Sequence, residues 1–215
     1  MKKIKVWDLP TRLFHWLLVI SMAITMILIH IDGLWIDWHA RLGYFILALM
    51  TFRWLWGFWG SQYARFSQFL KSPQETYQYI QQKDPATKPG HNPLGAWSVM
   101  ALLLSITIQA LTGLFMTDEI AFNGPLYAYV SSIWVDYFIW VHHQNQYVLM
   151  SLIALHLGAI FYYQVIRKKD LIGPMRHGYQ EVDERHLAAD DHWRLRSRAL
   201  IIFLMSALVY FYFFL

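Results

Sequence analysis

The sequence predicts an all-α integral membrane protein with five transmembrane helices. Five apolar stretches each approach the roughly 20 residues that span a bilayer's hydrocarbon. Only 15% of the 215 residues are charged, against about 25% in soluble domains. Lys and Arg cluster in alternate connections, the pattern that sets orientation in a membrane.

The first span covers about 13–31. It is not read as a signal peptide, because no small-residue cleavage site follows and His30-Ile31-Asp32 leads straight into the next apolar run. The second covers 39–59. The connection 60–90 reads as a surface segment with a short amphipathic piece near 73–82. Gly90-His91-Asn92-Pro93 opens the third span, 94–116, with Asn92 suited to an N-cap and Pro93 to the first helical position. The fourth covers 141–166. The polar stretch 170–198, mixed in sign, reads as a cytoplasmic linker with little packed structure. The fifth span, 199–215, is the shortest. Eleven Trp and thirteen Tyr suit a chain with many helix ends at membrane interfaces.

Orientation follows from the cations. Lys2, Lys3, Lys5 and Arg12 precede the first span, and Arg65, Lys71, Lys83 and Lys88 lie between the second and third. Arg167, Lys168, Lys169, Arg176, Arg185, Arg194, Arg196 and Arg198 follow the fourth. The other connections carry Asp32, Asp37, Asp118, Glu119 and Asp136, with Arg41 just inside the second span. The N-terminus is therefore expected in the cytoplasm, and an odd number of spans puts the C-terminus in the periplasm. The net charge of +4 is spent on topology, so no nucleic-acid partner is inferred. The absence of Cys excludes disulfides, thiolate-held iron–sulfur clusters, thiolate nucleophiles and covalently attached haem.

His142 and His156 are the most informative residues. Fourteen helical steps leave their rings about 40° apart and about 21 Å apart along the axis. Imidazole is a good haem ligand, and ionisable residues inside a membrane are functional candidates. One helix can therefore ligate two haems, one near each membrane face. His143 points about 140° away from His156 and reads as interfacial. Second ligands must come from other helices. His15 lies level with His156 on the inner side, and His39 level with His142 on the outer side. His30, about 60° round from His15 at the outer end of the first span, competes with His39. Geometry favours His39, which sits within a helix, without eliminating His30. His91, His177, His186 and His192 read as solvated polar residues, with His91 retained as a candidate for lining a quinone or propionate site.

Arg53 follows His39 by fourteen residues, so it shares that face at the level of the inner haem. It suits a haem propionate or, equally by position, snorkelling to the inner headgroups. Gly43, four residues after His39, leaves room for a macrocycle against the backbone. Gly113 and Gly158 suit the same role, although small residues also serve plain helix–helix contact. The nine Met read as core filler. A histidine-based ion transporter would need acidic partners inside the spans, and every Asp and Glu lies outside them. A redox-inert anchor explains the spans but not four histidines in two level-matched pairs.

Four segments in order resemble the prokaryotic cytochrome b561 family, which includes the cytochrome b subunits of nickel–iron hydrogenases and formate dehydrogenases. They are VWDLPTRLFHW, WHARLGY with FRWLWGFWGSQYARFSQF, GHNPLG with QALTGLF, and VHHQNQYVLMSLIALH with YY. The resemblance covers about 5–178. It implies a four-helix transmembrane di-haem bundle, to which the fifth C-terminal helix is an addition. It divides the chain into a cytochrome domain (1–178), the linker (179–198) and the extra helix (199–215). It implies two non-covalent b-type haems, each held by two histidines, with His15, His39, His142 and His156 as the ligands, and it favours a propionate role for Arg53. It further implies electron transfer in a respiratory chain of the bacterial inner membrane. The exchange would run between quinone and a redox partner, a c-type cytochrome or a catalytic subunit. Quinol-dependent reduction of a small oxidant by the chain alone is the alternative within the family.

Overall fold

The computed structural model describes residues 2–31, 35–81, 89–120, 122–182 and 186–214. Asp32, Lys83, Lys88 and Arg185, all used above to orient the chain, lie outside the described residues. A short strand β1 (Lys2–Lys5) leads into helices α1 (Leu9–Leu28) and α2 (Trp35–Trp59). Two short helices, α3 (Phe66–Phe69) and α4 (Pro73–Gln81), precede α5 (Pro93–Gly113). Then come α6 (Ser132–Phe161), prolonged by a π turn (Tyr162–Ile166), α7 (Ile172–His177), β2 (Tyr179–Val182) and α8 (Trp193–Phe214).

The helix starts follow from local chemistry. Asp8 caps α1: its carboxylate accepts the Thr11 N–H at 2.6 Å, and Pro10 sits in the first turn. Asn92 caps α5 as expected, accepting the Gly95 N–H at 2.7 Å ahead of Pro93. The amphipathic piece is α4. On α1 the buried positions Thr11, Phe14, Leu18, Ser21 and Leu28 follow one another at one or two helical turns, so one stripe faces inward.

Helix α2 is the centre of the bundle. It packs against α1, α5 and α8, whereas α6 packs chiefly on α5. Half of the apolar window of α2 is buried, against 6% for α6. The main core joins Phe14, Met50, Phe52, Trp56, Leu195 and Ala199, so α8 contributes to it. Phe52 stacks on Trp56 at 5.7 Å and meets the edge of Phe203 from α8 at 6.1 Å. Lipid tails are as apolar as these side chains, so dispersion and shape hold such a core rather than escape from water.

Among the described residues, four helices are long and apolar enough to cross a membrane: α1, α2, α5 and α6 with its π turn. The stretch expected as a fifth span is helical as α8, starting six residues earlier than the apolar run.

The stretch 170–198 differs from expectation. It is packed, not a loose linker. β2 pairs antiparallel with β1, Lys2 opposite Val182 and Lys5 opposite Tyr179. Ile4, Val6, Trp7 and Val182 form a small second core. Gly178 closes α7 at φ +92°, and its carbonyl accepts the N–H groups of Val6 and Trp7 at 2.8 and 3.1 Å. A Cβ there would lie 2.7 Å from the Trp7 carbonyl oxygen, so glycine is required twice over. The all-α expectation thus needs one amendment, a two-stranded sheet at the side where the chain starts. The pairing puts residues 2–5 and 179–182 at the same end of the bundle.

Asp191 pins the extension to the N-terminus. Its side chain, 2% exposed, accepts from Lys5 Nζ at 2.9 Å and from Arg196 Nε and Nη2 at 3.0 Å each. Burial pushes this carboxyl up, but the bonds from Arg196 and Lys5 outweigh it and hold it at about 2, below the ordinary 3.8. A depressed carboxyl stabilises above its unfolded value and loses that contribution as pH falls through its folded value. Stability should therefore fall between about pH 4 and pH 2, by about 1 kcal/mol once screening at the exposed Arg196 is allowed for. Asp191→Asn should flatten that limb in thermal melts recorded against pH; an identical slope would show the ion pairs contribute nothing.

Candidate functional site

Near the ends of α1 and α2 that face each other, His39 points Nδ1 at the Thr25 carbonyl oxygen, 3.1 Å away. A carbonyl only accepts, so Nδ1 carries the proton and the Nε2 lone pair is free. His142 Nδ1 lies 3.1 Å from Thr112 Oγ1. The Thr112 hydroxyl donates to the Ile108 carbonyl at 2.8 Å, so its oxygen accepts from His142, and Nε2 of His142 is again free. His142 and His39 are close enough to act on each other electrostatically. His30 lies in the turn after α1, exposed.

At the other end of the bundle, His15 on α1 and His156 on α6 form a second pair within electrostatic range. Nδ1 of His15 is buried with no hydrogen-bond partner among the described residues. Arg53 on α2 is 4% exposed, which excludes snorkelling: its guanidinium is inside the bundle. Nη2 donates to the Ala64 carbonyl at 3.3 Å and Cζ lies 4.9 Å from the Phe66 ring centre. Nη1 is buried and unpartnered among the described residues.

His91 is not a solvated polar residue. It sits half-buried between Trp7, 4.8 Å away, and Phe69, 5.2 Å away, within electrostatic range of Arg53, His156 and His15. Burial, with those neighbours adding to it, lowers its pKa to about 3, so the ring is neutral. His177 and His192 also have structural work, accepting the N–H groups of Tyr179 and Leu195 at 3.1 and 3.0 Å.

A Cβ added at Gly43 or Gly158 would meet nothing within 4 Å, so open space lies beside both. At Gly113 it would meet His142 Cε1 at 3.4 Å, so that glycine serves close approach to the histidine. Two histidine pairs, free Nε2 lone pairs on the outer pair, open space beside Gly43 and Gly158, and an unsatisfied buried guanidinium all fit flat anionic macrocycles with iron at the centre. No cluster of three or more His, Asp or Glu suits a bare metal ion among the described residues.

Sequence reasoning missed Asp8 and a polar ladder between α5 and α6. Asp8 is fully buried and takes hydrogen bonds from Thr11 N–H, from Trp56 Nε1 at 3.3 Å and from Ser61 Oγ, and its charge acts on Arg53. The spacing Asp8-Leu9-Pro10 was the available signal. In the ladder, Ser105 Oγ donates to Asn145 Oδ1 at 3.0 Å, Asn145 Nδ2 to Gln109 Oε1 at 2.7 Å, and Gln109 Nε2 to the His142 carbonyl at 3.1 Å.

A cavity of about 1020 Å³ opens at the end of the bundle near His15 and His156. His91, Asn92, Tyr79, Tyr163 and Lys169 are among its lining residues. Tyr79 and Tyr163 share a hydrogen bond, and Asn92 Nδ2 donates to the Tyr163 hydroxyl at 3.2 Å. Burial and the Tyr163 bond push Tyr79 up to about 12, so it stays a neutral phenol.

No solved structure matches the chain. A curated relative, the probable Ni/Fe-hydrogenase B-type cytochrome subunit of Bradyrhizobium diazoefficiens, is 21% identical over 211 residues, covering 82% of this chain and 85% of the relative. The family model of prokaryotic cytochrome b561 matches residues 6–178, the segment from Val6 through the fourth apolar helix to Gly178. With a match of that extent, the chain belongs to the prokaryotic cytochrome b561 family, multi-pass membrane proteins that carry electrons as b-type cytochromes.

Proposed function

We propose that the chain conducts electrons across the bacterial inner membrane through two b-type haems. His15 and His156 hold the inner one, His39 and His142 the outer. The supporting observation is that α6 carries two histidines about four turns apart, each within electrostatic range of a histidine from α1 or α2. Haem, when bound, supplies the one-electron couple of its iron. The chain supplies spacing, axial nitrogen, exclusion of lipid and water, and charge. Arg53, buried with Nη1 unpartnered among the described residues, supports pairing with a propionate of the inner haem. Gly43 gives the outer macrocycle room.

Quinone is the proposed substrate at the inner cavity, where phenols and amides can hold its carbonyl oxygens near the inner histidine pair. The redox partner is proposed to be a catalytic subunit or a c-type cytochrome. The relative's description as a hydrogenase subunit supports the former. The strand pairing of residues 2–5 with 179–182 supports an even number of crossings between them, and the flanking Lys and Arg support a cytoplasmic location for that end. With α8 as a fifth span, the C-terminus is periplasmic.

The test is haem stoichiometry. Protein purified in mild detergent should yield two b-type haems per chain by pyridine haemochrome assay, and folded protein expressed with ample haem yet carrying none would sink the proposal. A truncation probes the extension. Because α8 packs chiefly on α2 and α1 among the described residues, removing residues 199–215 should leave both haems bound while lowering the melting temperature. Loss of either haem would make α8 part of the haem-binding core.

A further inference from the structure

Resting on the proposed ligand set, we propose that Thr112 is a positioning residue for His142. Its hydroxyl oxygen accepts the Nδ1–H hydrogen bond and, with the Thr25 carbonyl accepting from His39, makes the outer haem the lower-potential of the two.

The geometry is one-sided. Both outer histidines donate an Nδ1–H hydrogen bond to an oxygen, at 3.1 Å each. An imidazole hydrogen-bonded in this way is a more basic ligand at Nε2. A more basic axial ligand favours ferric over ferrous iron, which lowers the potential. The inner pair is built differently. His15 Nδ1 is buried without a partner, and no hydrogen bond reaches either ring nitrogen of His156 among the described residues. The buried Arg53 guanidinium is on that side as well, and positive charge there favours the ferrous state. Axial basicity and nearby charge therefore act in the same direction.

Thr112 is not free to leave. Its own hydroxyl proton is committed to the Ile108 carbonyl at 2.8 Å, with the Gln109 carbonyl at 3.1 Å, which fixes the oxygen lone pairs toward His142. The Ser105–Asn145–Gln109 ladder ends on the His142 carbonyl and locks α5 against α6 in register. Gly113, next to Thr112, lets the imidazole approach the α5 backbone. A hydrogen bond between neutral groups at a helix interface is modest for stability. Its effect on ligand basicity is the more specific consequence.

The experiment is an equilibrium redox titration of the full-length, two-haem protein followed optically and by low-temperature electron paramagnetic resonance. In the wild type, the haem titrating at the lower midpoint should carry the signal of more basic axial imidazoles, with the smaller g anisotropy. Two indistinguishable signals, or the reverse assignment, would overturn the proposal. Thr112→Val should raise the lower midpoint, leave the upper one in place and shift only the corresponding signal. Thr112→Ser should restore both the lower midpoint and its signal. Thr11, one turn before His15, has a buried hydroxyl without a partner among the described residues. Thr11→Val is the control and should move neither midpoint. If Thr112→Val retains two haems with both midpoints unmoved, the positioning role fails. His142→Ala separates that failure from failure of the ligand set: one haem lost keeps His142 as a ligand, and two retained removes it.

Discussion

Replacing His156 with alanine should halve the haem content, leaving one b-type haem per chain. His156 is the α6 member of the inner pair, and no other residue on α6 is a fourteen-step partner of His142 with a histidine opposite it. On the proposed ligand set, loss of one axial nitrogen leaves His15 as the single protein ligand of a group that has no covalent attachment. The outer pair is about 21 Å away along the helix, so it should be untouched. The measurement is the pyridine haemochrome ratio together with the α-band of the reduced spectrum. Transmembrane transfer should fall to background, since removing one of two carriers breaks the path. Full haem retention would overturn the assignment of His156. Loss of both haems would show that the two sites fold as a unit.

Replacing Asp8 with alanine should have the largest effect on stability, about 3–5 kcal/mol. The Asp8 carboxylate is fully buried, caps α1 through the Thr11 N–H, and accepts from Trp56 on α2 and from Ser61. It also balances the buried charge of Arg53. Its loss leaves three donors unsatisfied and a guanidinium uncompensated, each costly away from water. Asp8→Asn keeps an acceptor without the charge, so it should fall between alanine and wild type. Thermal unfolding in detergent, followed by helical circular dichroism, gives the comparison. A loss under about 1 kcal/mol for Asp8→Ala would show that Trp56 and Ser61 find other partners.

Different parts of the molecule differed in legibility because they rest on different ranges of interaction. Helical periodicity is local, so the common face of His142 and His156 was readable from spacing. So were the α5 cap at Asn92 and helix α4. Arg53 was readable as to level and face but not as to depth. A long side chain at a helix end reaches either water or core, and only the packing of Phe66 and Ala64 decides. The segment 179–182 was illegible. A four-residue strand is too short for a periodic signal, and its partner lies at the other end of the chain. Asp8 was hidden for the same reason: its cap is local, but Trp56 and Ser61 arrive from another helix and its following turn. Thr112 lay inside a quoted motif, yet only the register of α5 against α6 reveals that it faces His142.

The pairing of β1 with β2 also imposes an order on biosynthesis. β1 is made first, and β2 only after four apolar helices have entered the bilayer. Through that interval Ile4, Val6 and Trp7 have no Val182 to pack against, and Gly178 has yet to offer its carbonyl to the Val6 and Trp7 N–H groups. Contacts between distant parts of a chain form late and slowly. The clasp is thus a final closure, and a nascent chain halted before Gly178 would hold all four inserted helices with its leading end still untied.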